Sequence, residues 1–429
     1  MSLKLLAVGD LHLGHRPARL PADLVSRAAD FSPAAAWRRT VDLAIREGVA
    51  AVLLAGDVAE SSHDYFEALP RLQTGIAELT RAGIKTLAVS GNHDVNVLPR
   101  LIDRVPDAHL LGRNGQWESV QLRDPSGGSD TSATLWGWSF PTDRVHTSPL
   151  TQLPPDPGTG PLIGLLHCDR DQAASPYAPV TSDELRRTRF DAWLLGHIHQ
   201  PDPLAPTRPS GYLGTVVGLD AGEPGPRGPW LIEISGGHIQ RFEQRTIAPL
   251  RWERIDVDLT DTASSAEVTQ RLSDGLAALG TQLGKARERP DLVALRIRLT
   301  GDCDLTEADI RAAMPETDRS LSLPGATAIQ WFVESWRIDT RPVTPLERLA
   351  ERDDQPGLLA RRLLILQRDP DDADRRALLE AAAQHLRSAA DKPRWGQLPG
   401  DPPDTHSVAE WLRESGQNAL RAMLAQERD

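Results

Sequence analysis

The feature that most constrains this chain is a set of five short apolar runs, each ending in a carboxylate, a carboxamide or an imidazole. The runs are "LLAVGD", "AVLLAGD", "TLAVSGNHD", "LIGLLH" and "AWLLGHIH". Short apolar runs are typical of buried strands, and here they alternate with helical stretches up to about residue 250. This alternation predicts an α/β layered domain. The polar residues that end the runs are Asp10, His12, Asp57, Asn92, His93, Asp94, His167, His197 and His199.

The ends of these runs are expected to meet at one edge of a sheet. In open α/β sheets, ligands bind outside the carboxyl ends of the strands. His197 and His199 are two residues apart, so on an extended chain both rings point to the same side. Glycine directly precedes the polar group in several runs, which permits a tight turn and a close approach to a common centre. These glycines are Gly9, Gly56, Gly91 and Gly196.

The chemistry of this set favours a metal centre. It offers nitrogen and oxygen ligands without a cysteine cluster, which suits divalent ions such as Mn²⁺, Fe²⁺ or Zn²⁺. About seven ligands are too many for one ion with an open position, but they suit two ions sharing a bridging carboxylate, as used for phosphoester hydrolysis. The alternative is a set of unrelated strand ends. That alternative is disfavoured because grouped polar side chains at apolar strand ends are costly without cations.

The same residues resemble a known family. D-x-H, GD, GNHD, H and GHxH, in this order, are similar to the motifs of the calcineurin-like metallophosphoesterase superfamily. The segments "DLHLGHRP" and "GYLGTVVGLDAGEPGPRGPWLIEI" resemble its SbcD branch, the nuclease subunits of double-strand-break repair complexes. The resemblance covers roughly residues 1–340. It implies a four-layer α/β/β/α sandwich, followed by a small α/β capping domain.

The resemblance also implies roles for individual residues. One ion, expected to be Mn²⁺, would be held by Asp10, His12 and His199. A second would be held by Asn92, His167 and His197, with Asp57 bridging the two. His93 would protonate the leaving oxygen or stabilise the transition state, and Asp94 would orient the His93 ring.

The loops beside these motifs leave alternatives open. Some relatives carry a histidine where this chain has Glu60, so the balance between exonuclease and endonuclease action is undecided. His63 could substitute for that histidine or be a surface residue. His15, Arg16 and Arg19 are candidates for DNA contact, with a solvated charged loop as the alternative.

The remaining sequence predicts three domains and a partner. We expect a metallophosphoesterase domain over residues 1–249, an α/β capping and DNA-binding domain over 250–340, and a helical region over 341–429. Two apolar stripes lie in that region, one of them at Leu358, Leu359, Leu363 and Leu366, and the other at Val408, Trp411, Leu412, Ser415, Ala419 and Met423. Such stripes pack within their own domain or dock another chain. The resemblance implies docking to an SMC-like ATPase of the SbcC type.

Charge and cysteine content narrow the function further. The formal net charge of -12 argues against a general nucleic-acid coat, so an anionic substrate needs metal ions, a local basic patch or a basic partner. Cys168 and Cys303 are the two cysteines, which fits a reducing, cytoplasmic compartment without a disulfide framework. The first hypothesis is a DNA nuclease, expected to be a homodimer. The others are a phosphoesterase acting on a small molecule, and a scaffold that has lost catalysis.

Overall fold

The computed structural model describes most of the chain. It covers residues 2–17, 19–60, 65–123, 132–155, 157–158, 160–286, 288–315, 317, 320–321, 329–390 and 404–426. The strands are β1 (Leu3–Val8), β2 (Ala51–Leu54), β3 (Lys85–Ala88), β4 (Ala108–Leu110), β5 (Glu118–Arg123), β6 (Ser132–Trp138), β7 (Leu162–His167), β8 (Ala192–Gly196), β9 (Ser210–Tyr212), β10 (Trp230–Ser235), β11 (His238–Gln244), β12 (Leu250–Asp258), β13 (Leu292–Thr300) and β14 (Gln330–Ile338). The helices are α1 (Pro33–Glu47), α2 (Tyr65–Arg81), α3 (Leu98–Ile102), α4 (Ser182–Arg187), α5 (Ser265–Gly284), α6 (Glu307–Ala313), α7 (Leu346–Ala350), α8 (Gln355–Gln367), α9 (Ala373–Ala390) and α10 (Thr405–Gln426).

Two sheets form the centre of the first part of the chain. One has the order β11-β10-β1-β2-β3-β4 and the other β5-β6-β7-β8-β9. Strands β1 to β4 are parallel to one another, and so are β6 to β9. All five apolar runs that the sequence singled out are therefore strands: β1, β2 and β3 in the first sheet, and β7 and β8 in the second.

The sheets pack face to face with helices outside them. One face of each contributes to a shared core that includes Leu5, Leu53 and Leu165. The other face of the first sheet packs against α1, α2 and α3, and the other face of the second packs against α4. Burial on both faces explains why these strands are almost continuously apolar. The predicted four-layer α/β/β/α arrangement is confirmed.

A third sheet follows these layers. Strands β12, β13 and β14 are parallel and are connected through α5 and α6, which gives the small α/β element expected after residue 249. Trp252 and Phe332 of this sheet belong to the same buried core as the apolar residues of α1. As a result, residues 1–259, 264–300 and 306–339 form one compact unit, so the sheet is not separated from the first two. The division into three domains stays a prediction.

The second compact unit contains residues 260–263, 301–305 and 340–429. Its helices have their own core, in which Leu363 and Leu366 of α8 are buried together with Val408 and Leu420 of α10. Part of each predicted stripe is thus internal to this unit. Leu358 and Trp411 differ, since they are 47% and 51% exposed. None of the helices among the described residues is both long and apolar enough to cross a membrane.

Candidate metal centre

The ends of β1, β2, β3, β7 and β8 meet at one edge of the two sheets. These five strand ends carry Asp10, Asp57, Asn92, His167 and His197. Three groups of candidate ligands have their coordinating atoms within 4.8 Å of one another: Asp10, His12 and Asp57; Asp57, His167 and His197; and His12, Glu60 and His93. Asp57 is common to the first two groups. That sharing fits its predicted bridging role.

The backbone that presents these side chains is held in unusual conformations. His12, Asp57 and His197 have φ angles of 48°, 45° and 106°, in the region that side chains with a Cβ seldom adopt. Such residues persist only where the surroundings hold them in place. Here the amides of Leu11 and His12 both donate to the carbonyl of Asp57, at 3.0 and 2.9 Å.

Glycine is required where the turns pass close to the ligands. A Cβ at Gly56 would lie 2.6 Å from Nδ1 of His167, and one at Gly91 would lie 2.1 Å from Oδ1 of Asp57. Both distances are far below a van der Waals contact. The close approach predicted for these two glycines is therefore observed.

His12 and His199 face each other across one half of the centre. Nδ1 of His12 lies 2.7 Å from Oε2 of Glu60, and Nδ1 of His199 lies 2.5 Å from Oε1 of Glu223. Ionised carboxylates only accept hydrogen bonds, so in its neutral ring His199 carries the proton on Nδ1 and a lone pair on Nε2. The negative charge of Glu60 beside Nδ1 of His12 favours the same tautomer in that ring. The two Nε2 atoms are 3.1 Å apart.

This pair of lone pairs fits a metal ion. Nitrogen ligands lie about 2.0–2.1 Å from an ion such as Zn²⁺, so two neighbouring nitrogens on one ion are about 3 Å apart. In addition, Oδ2 of Asp10 is buried without a hydrogen-bond partner in the described structure. Buried polar atoms are normally satisfied, so this oxygen is also suited to bind a cation. The residues present fit the predicted ion.

His167 occupies the other half. Its Nδ1 lies 3.1 Å from the carbonyl oxygen of Ala55. Its Nε2 lies 3.1 Å from Oδ1 of Asn92 and 3.3 Å from Oδ2 of Asp57. Burial alone would lower the pKa of His167, but the carboxylates of Asp57 and Asp10 raise it to about 9. A proton on His167 thus offsets negative charge that a metal ion would otherwise neutralise.

The pKa values of His197, Asp57 and Glu223, which surround this half of the centre and the other, are lowered. Burial and the charge of His167 lower the pKa of His197 to about 3. Although burial acts in the opposite direction, His167 holds the pKa of Asp57 well below its usual range. Despite its burial, Glu223 likewise has a lowered pKa because of His199. A neutral imidazole and ionised carboxylates are the states that bind metals.

His93 stands at the exposed side of this cluster. Its amide donates to Oδ1 of Asp57 at 3.0 Å, and its ring centroid is 5.5 Å from that of His12. Its Nδ1 lies 3.1 Å from the carbonyl oxygen of Glu60. A carbonyl accepts, so Nδ1 is the protonated nitrogen of the neutral ring, and Nε2 is the atom able to exchange a proton.

Asp94 is engaged by backbone amides, and its role in orienting the His93 ring stays a prediction. Its carboxylate is fully buried and accepts from the amides of Gly91 and Val58, at 2.8 and 2.7 Å. Burial, together with the charge of Asp57, raises the pKa of Asp94 to about 7. Asp94 therefore ties the turns after β2 and β3 together. The group beside Nδ1 of the His93 ring is the carbonyl oxygen of Glu60, at 3.1 Å.

The residues suggested for DNA contact are engaged with protein groups. Arg16 pairs with Glu67 at 2.7 Å, and Arg19 with Glu334 at 2.5 Å. Nε2 of His15 lies 3.4 Å from the carbonyl oxygen of Leu219. A role in DNA contact stays a prediction for all three. His63 lies outside the described residues.

Two residues of the site were missed in the sequence. Glu223 supports His199, and the buried guanidinium of Arg227 donates to the carbonyl of His199 at 2.6 Å. Both lie in "GLDAGEPGPRGP", a glycine- and proline-rich stretch with charges spaced between its turns. A charged residue in such a stretch is a usable signal for a polar contact.

The chain matches two protein-family models. Residues 3–201 match the model described as calcineurin-like phosphoesterase. Residues 252–341 match the middle domain of metallophosphoesterase YhaO. The first match contains every residue predicted to bind metal, and the second corresponds to the third sheet.

Individual proteins are similar to this chain over much of its length. The protein named uncharacterized metallophosphoesterase YhaO, from Bacillus subtilis, is 25% identical over 70% of this chain and 72% of its own. The DNA double-strand break repair protein Mre11 of Halobacterium salinarum is 27% identical over 86% of this chain and 96% of its own. Among solved structures, a dimetal phosphatase from Danio rerio is 16% identical over 57% of this chain and 98% of its own, with a TM-score of 0.32.

Proposed function

Residues 3–201 place this chain in the calcineurin-like metallophosphoesterase family, and from that membership we propose that it is a dinuclear-metal-dependent nuclease that hydrolyses DNA phosphodiester bonds. The observation that carries the proposal is the pair of ligand groups that share Asp57, beside an exposed His93. Asp10, His12 and His199 would hold one ion. Asn92, His167 and His197 would hold the other, and Mn²⁺ is the ion we expect.

The protein's own groups prepare this centre for hydrolysis. Bound ions supply a hydroxide nucleophile and neutralise charge on the phosphoryl oxygens. Glu60 and Glu223 hold the rings of His12 and His199 in the tautomer that ligates. With its Nδ1 proton held by the Glu60 carbonyl, the imidazolium form of His93 would give its Nε2 proton to the leaving oxygen and become the neutral ring.

A set of arginines supports a polyanionic substrate. On the third sheet, Arg254 is in register with Arg296, and Arg298 with Arg337. The side chains of Arg298 and Arg337 are 56% and 79% exposed, although both also contact Asp339. Arg254 donates to the carbonyl of Ala221, two residues before Glu223, the partner of His199. Arginines in such a row suit a phosphate backbone.

The relatives and the second compact unit support a complex. Mre11 is named as a DNA double-strand break repair protein, and the similarity of its Halobacterium form extends over most of both chains. Leu358 and Trp411 leave apolar surface on a unit that already has its own core. We infer that this unit docks an SMC-like ATPase of the SbcC type and that the nuclease subunit is a homodimer.

The test is cleavage of a linear DNA duplex in Mn²⁺, with and without a chelator. Asp57→Ala should abolish cleavage, because it removes the ligand shared by both groups. Asp103→Ala is the matched control, since Asp103 is an exposed carboxylate paired with Arg113. Turnover of bis(p-nitrophenyl) phosphate without cleavage of DNA, also in the presence of the ATPase, would instead favour a phosphoesterase acting on small molecules. No metal-dependent turnover of either substrate would contradict the proposal.

A further inference from the structure

We propose that Glu60 is a positioning residue that makes the two metal positions unequal, by strengthening the one held by Asp10, His12 and His199. This inference rests on the dinuclear centre of the proposed function. It concerns the position where the sequence departs from the histidine of some relatives.

The side chain of Glu60 reaches the centre from its open side. Oε2 lies 2.7 Å from Nδ1 of His12 and 3.9 Å from Nδ1 of His15. The His12 side chain is 2% exposed, whereas that of Glu60 is 33% exposed. Glu60 is therefore the outer partner of a buried ligand. This contact places a negative charge against Nδ1 of His12, while Nε2 of the same ring faces Nε2 of His199 at 3.1 Å.

The backbone delivers Glu60 to this place. The amide of Leu13 donates to the carbonyl of Val58 at 2.8 Å, and the amide of Glu60 donates to the carbonyl of Leu13 at 3.2 Å. The loops after β1 and β2 are thus hydrogen-bonded to each other beside His12. His12 itself has a left-handed φ of 48°, so a side-chain partner that fixes the ring opposes rearrangement of a strained residue.

The opposite ligand of the same ion has an equivalent partner. Glu223 contacts Nδ1 of His199 with one oxygen and accepts from Thr215 and Leu219 with the other. Both histidines of this position are therefore backed by a carboxylate. In the other position, Nδ1 of His167 contacts the neutral carbonyl of Ala55 at 3.1 Å, and Nε2 of His197 lies 3.9 Å from Asp169, beyond hydrogen-bond distance. A carboxylate makes the ring more basic and adds negative charge near the ion, so the first position should bind more tightly.

Substitution of Glu60 tests the role of its carboxylate separately from that of its backbone carbonyl. The contact between the Glu60 carbonyl and His93 is made by the backbone, and any replacement keeps it. Glu60→Ala removes the partner of His12 altogether. Glu60→Gln keeps an oxygen that can accept from Nδ1 but removes the charge.

The experiment is calorimetric titration of the metal-free, full-length protein with Mn²⁺. We expect two ions in the parent protein. Loss of an outer partner of a metal-ligating histidine typically costs about 10–100-fold in affinity, so Glu60→Ala should weaken the tighter step by that factor and leave the weaker step unchanged. In Glu60→Gln, the affinity of the tighter step should lie between those of the parent protein and Glu60→Ala. Glu67→Gln is the control, because Glu67 is an exposed carboxylate paired with Arg16.

Three results would overturn the inference. The first is an unchanged isotherm for Glu60→Ala. The second is equal weakening of both steps with a lower unfolding temperature of the metal-free protein, which would make Glu60 a support of the fold. The third is a further ion in the parent protein that is lost in Glu60→Ala, since Glu60 would then be a ligand itself. If the parent protein does not bind two ions, the dinuclear centre of the proposed function is refuted first, and this inference with it.

Discussion

The site depends on which nitrogen of each imidazole is used by the protein. Nδ1 of His12, His199 and His167 contacts Glu60, Glu223 and the Ala55 carbonyl, in that order. In each case Nε2 is left to face the centre. Three rings from three different parts of the chain are thus oriented toward one centre by protein groups, which lowers the cost of binding an ion.

Replacement of His93 should separate chemistry from metal binding. His93→Ala removes the proposed proton donor while leaving both ligand groups intact, so hydrolysis of a small diester should fall by about 10²–10⁴-fold with two ions still bound. Turnover and metal content are measured on the same preparation. His109→Ala is the control, because His109 is an exposed imidazole that pairs with Glu118. Loss of the ions along with activity would show that His93 is not primarily catalytic.

Metal binding should release a proton from His167. Its pKa is raised to about 9, above the ordinary 6.5, so the metal-free protein carries this proton at neutral pH and the ion must displace it. Apparent Mn²⁺ affinity should therefore rise with pH, by up to about tenfold per unit, and level off above about 9. Calorimetry in buffers of different ionisation enthalpy measures the release at pH 7.5. A binding heat that is the same in every buffer would contradict it.

Substitutions in the turns between the strands and the ligands should affect metal binding more than substitutions in other turns. Gly56 and Gly48 both have positive φ, 92° and 63°, so alanine at either position costs about 1–2 kcal/mol of conformational strain. A Cβ at Gly48 meets nothing within 4 Å, whereas one at Gly56 meets the His167 ring. Gly56→Ala should therefore lose metal binding and hydrolysis, and Gly48→Ala should lose only stability. Equal metal content in the two variants would be evidence against the close approach.

An element could be predicted where its pattern lies within a few consecutive residues, and not where it depends on contacts between distant parts of the chain. The runs that became β1, β2, β3, β7 and β8 were identified because burial on both faces leaves an almost continuous apolar pattern. The ligands followed from their places at the strand ends. Asp94 could not be assigned in this way, since its partners are backbone amides that approach only after β2 and β3 pair.

Helix faces were predicted less well for a similar reason. In α10 the structure buries Val408, as the predicted stripe has it. It also buries Ala409 and Leu420, which lie outside the stripe, and leaves Trp411 and Ala419 of the stripe exposed. The periodicity of the sequence predicts which side of a helix is apolar. The packing of the neighbouring helices decides which residues on that side are buried. The large ring of Trp411 is thus left 51% exposed at the rim.

At the scale of the whole molecule, an acidic protein needs a local arrangement of charge to bind DNA. The net charge is -12, so binding should depend on the arginine face of the third sheet. Arg298→Gln combined with Arg337→Gln should weaken duplex binding and reduce the slope of log affinity against log salt by about 2, without changing turnover of a small diester. Arg241→Gln is the control, an exposed arginine on β11 that pairs with Glu243. An unchanged salt slope would place the DNA elsewhere.

Removal of the second unit should separate hydrolysis from assembly. All proposed ligands and His93 lie before residue 200, and the core of the helical unit is distinct from the cores around the first two sheets. Deletion of residues 343–429 should therefore keep hydrolysis of a small diester within about twofold and abolish co-elution with the SMC-like ATPase. In the full chain, Leu358→Ser combined with Trp411→Ser should weaken the complex without altering the helical content, because both side chains are about half exposed. A complex that survives both changes would mean that the ATPase binds the remaining part of the chain, and that the exposed side chains of α8 and α10 serve another contact.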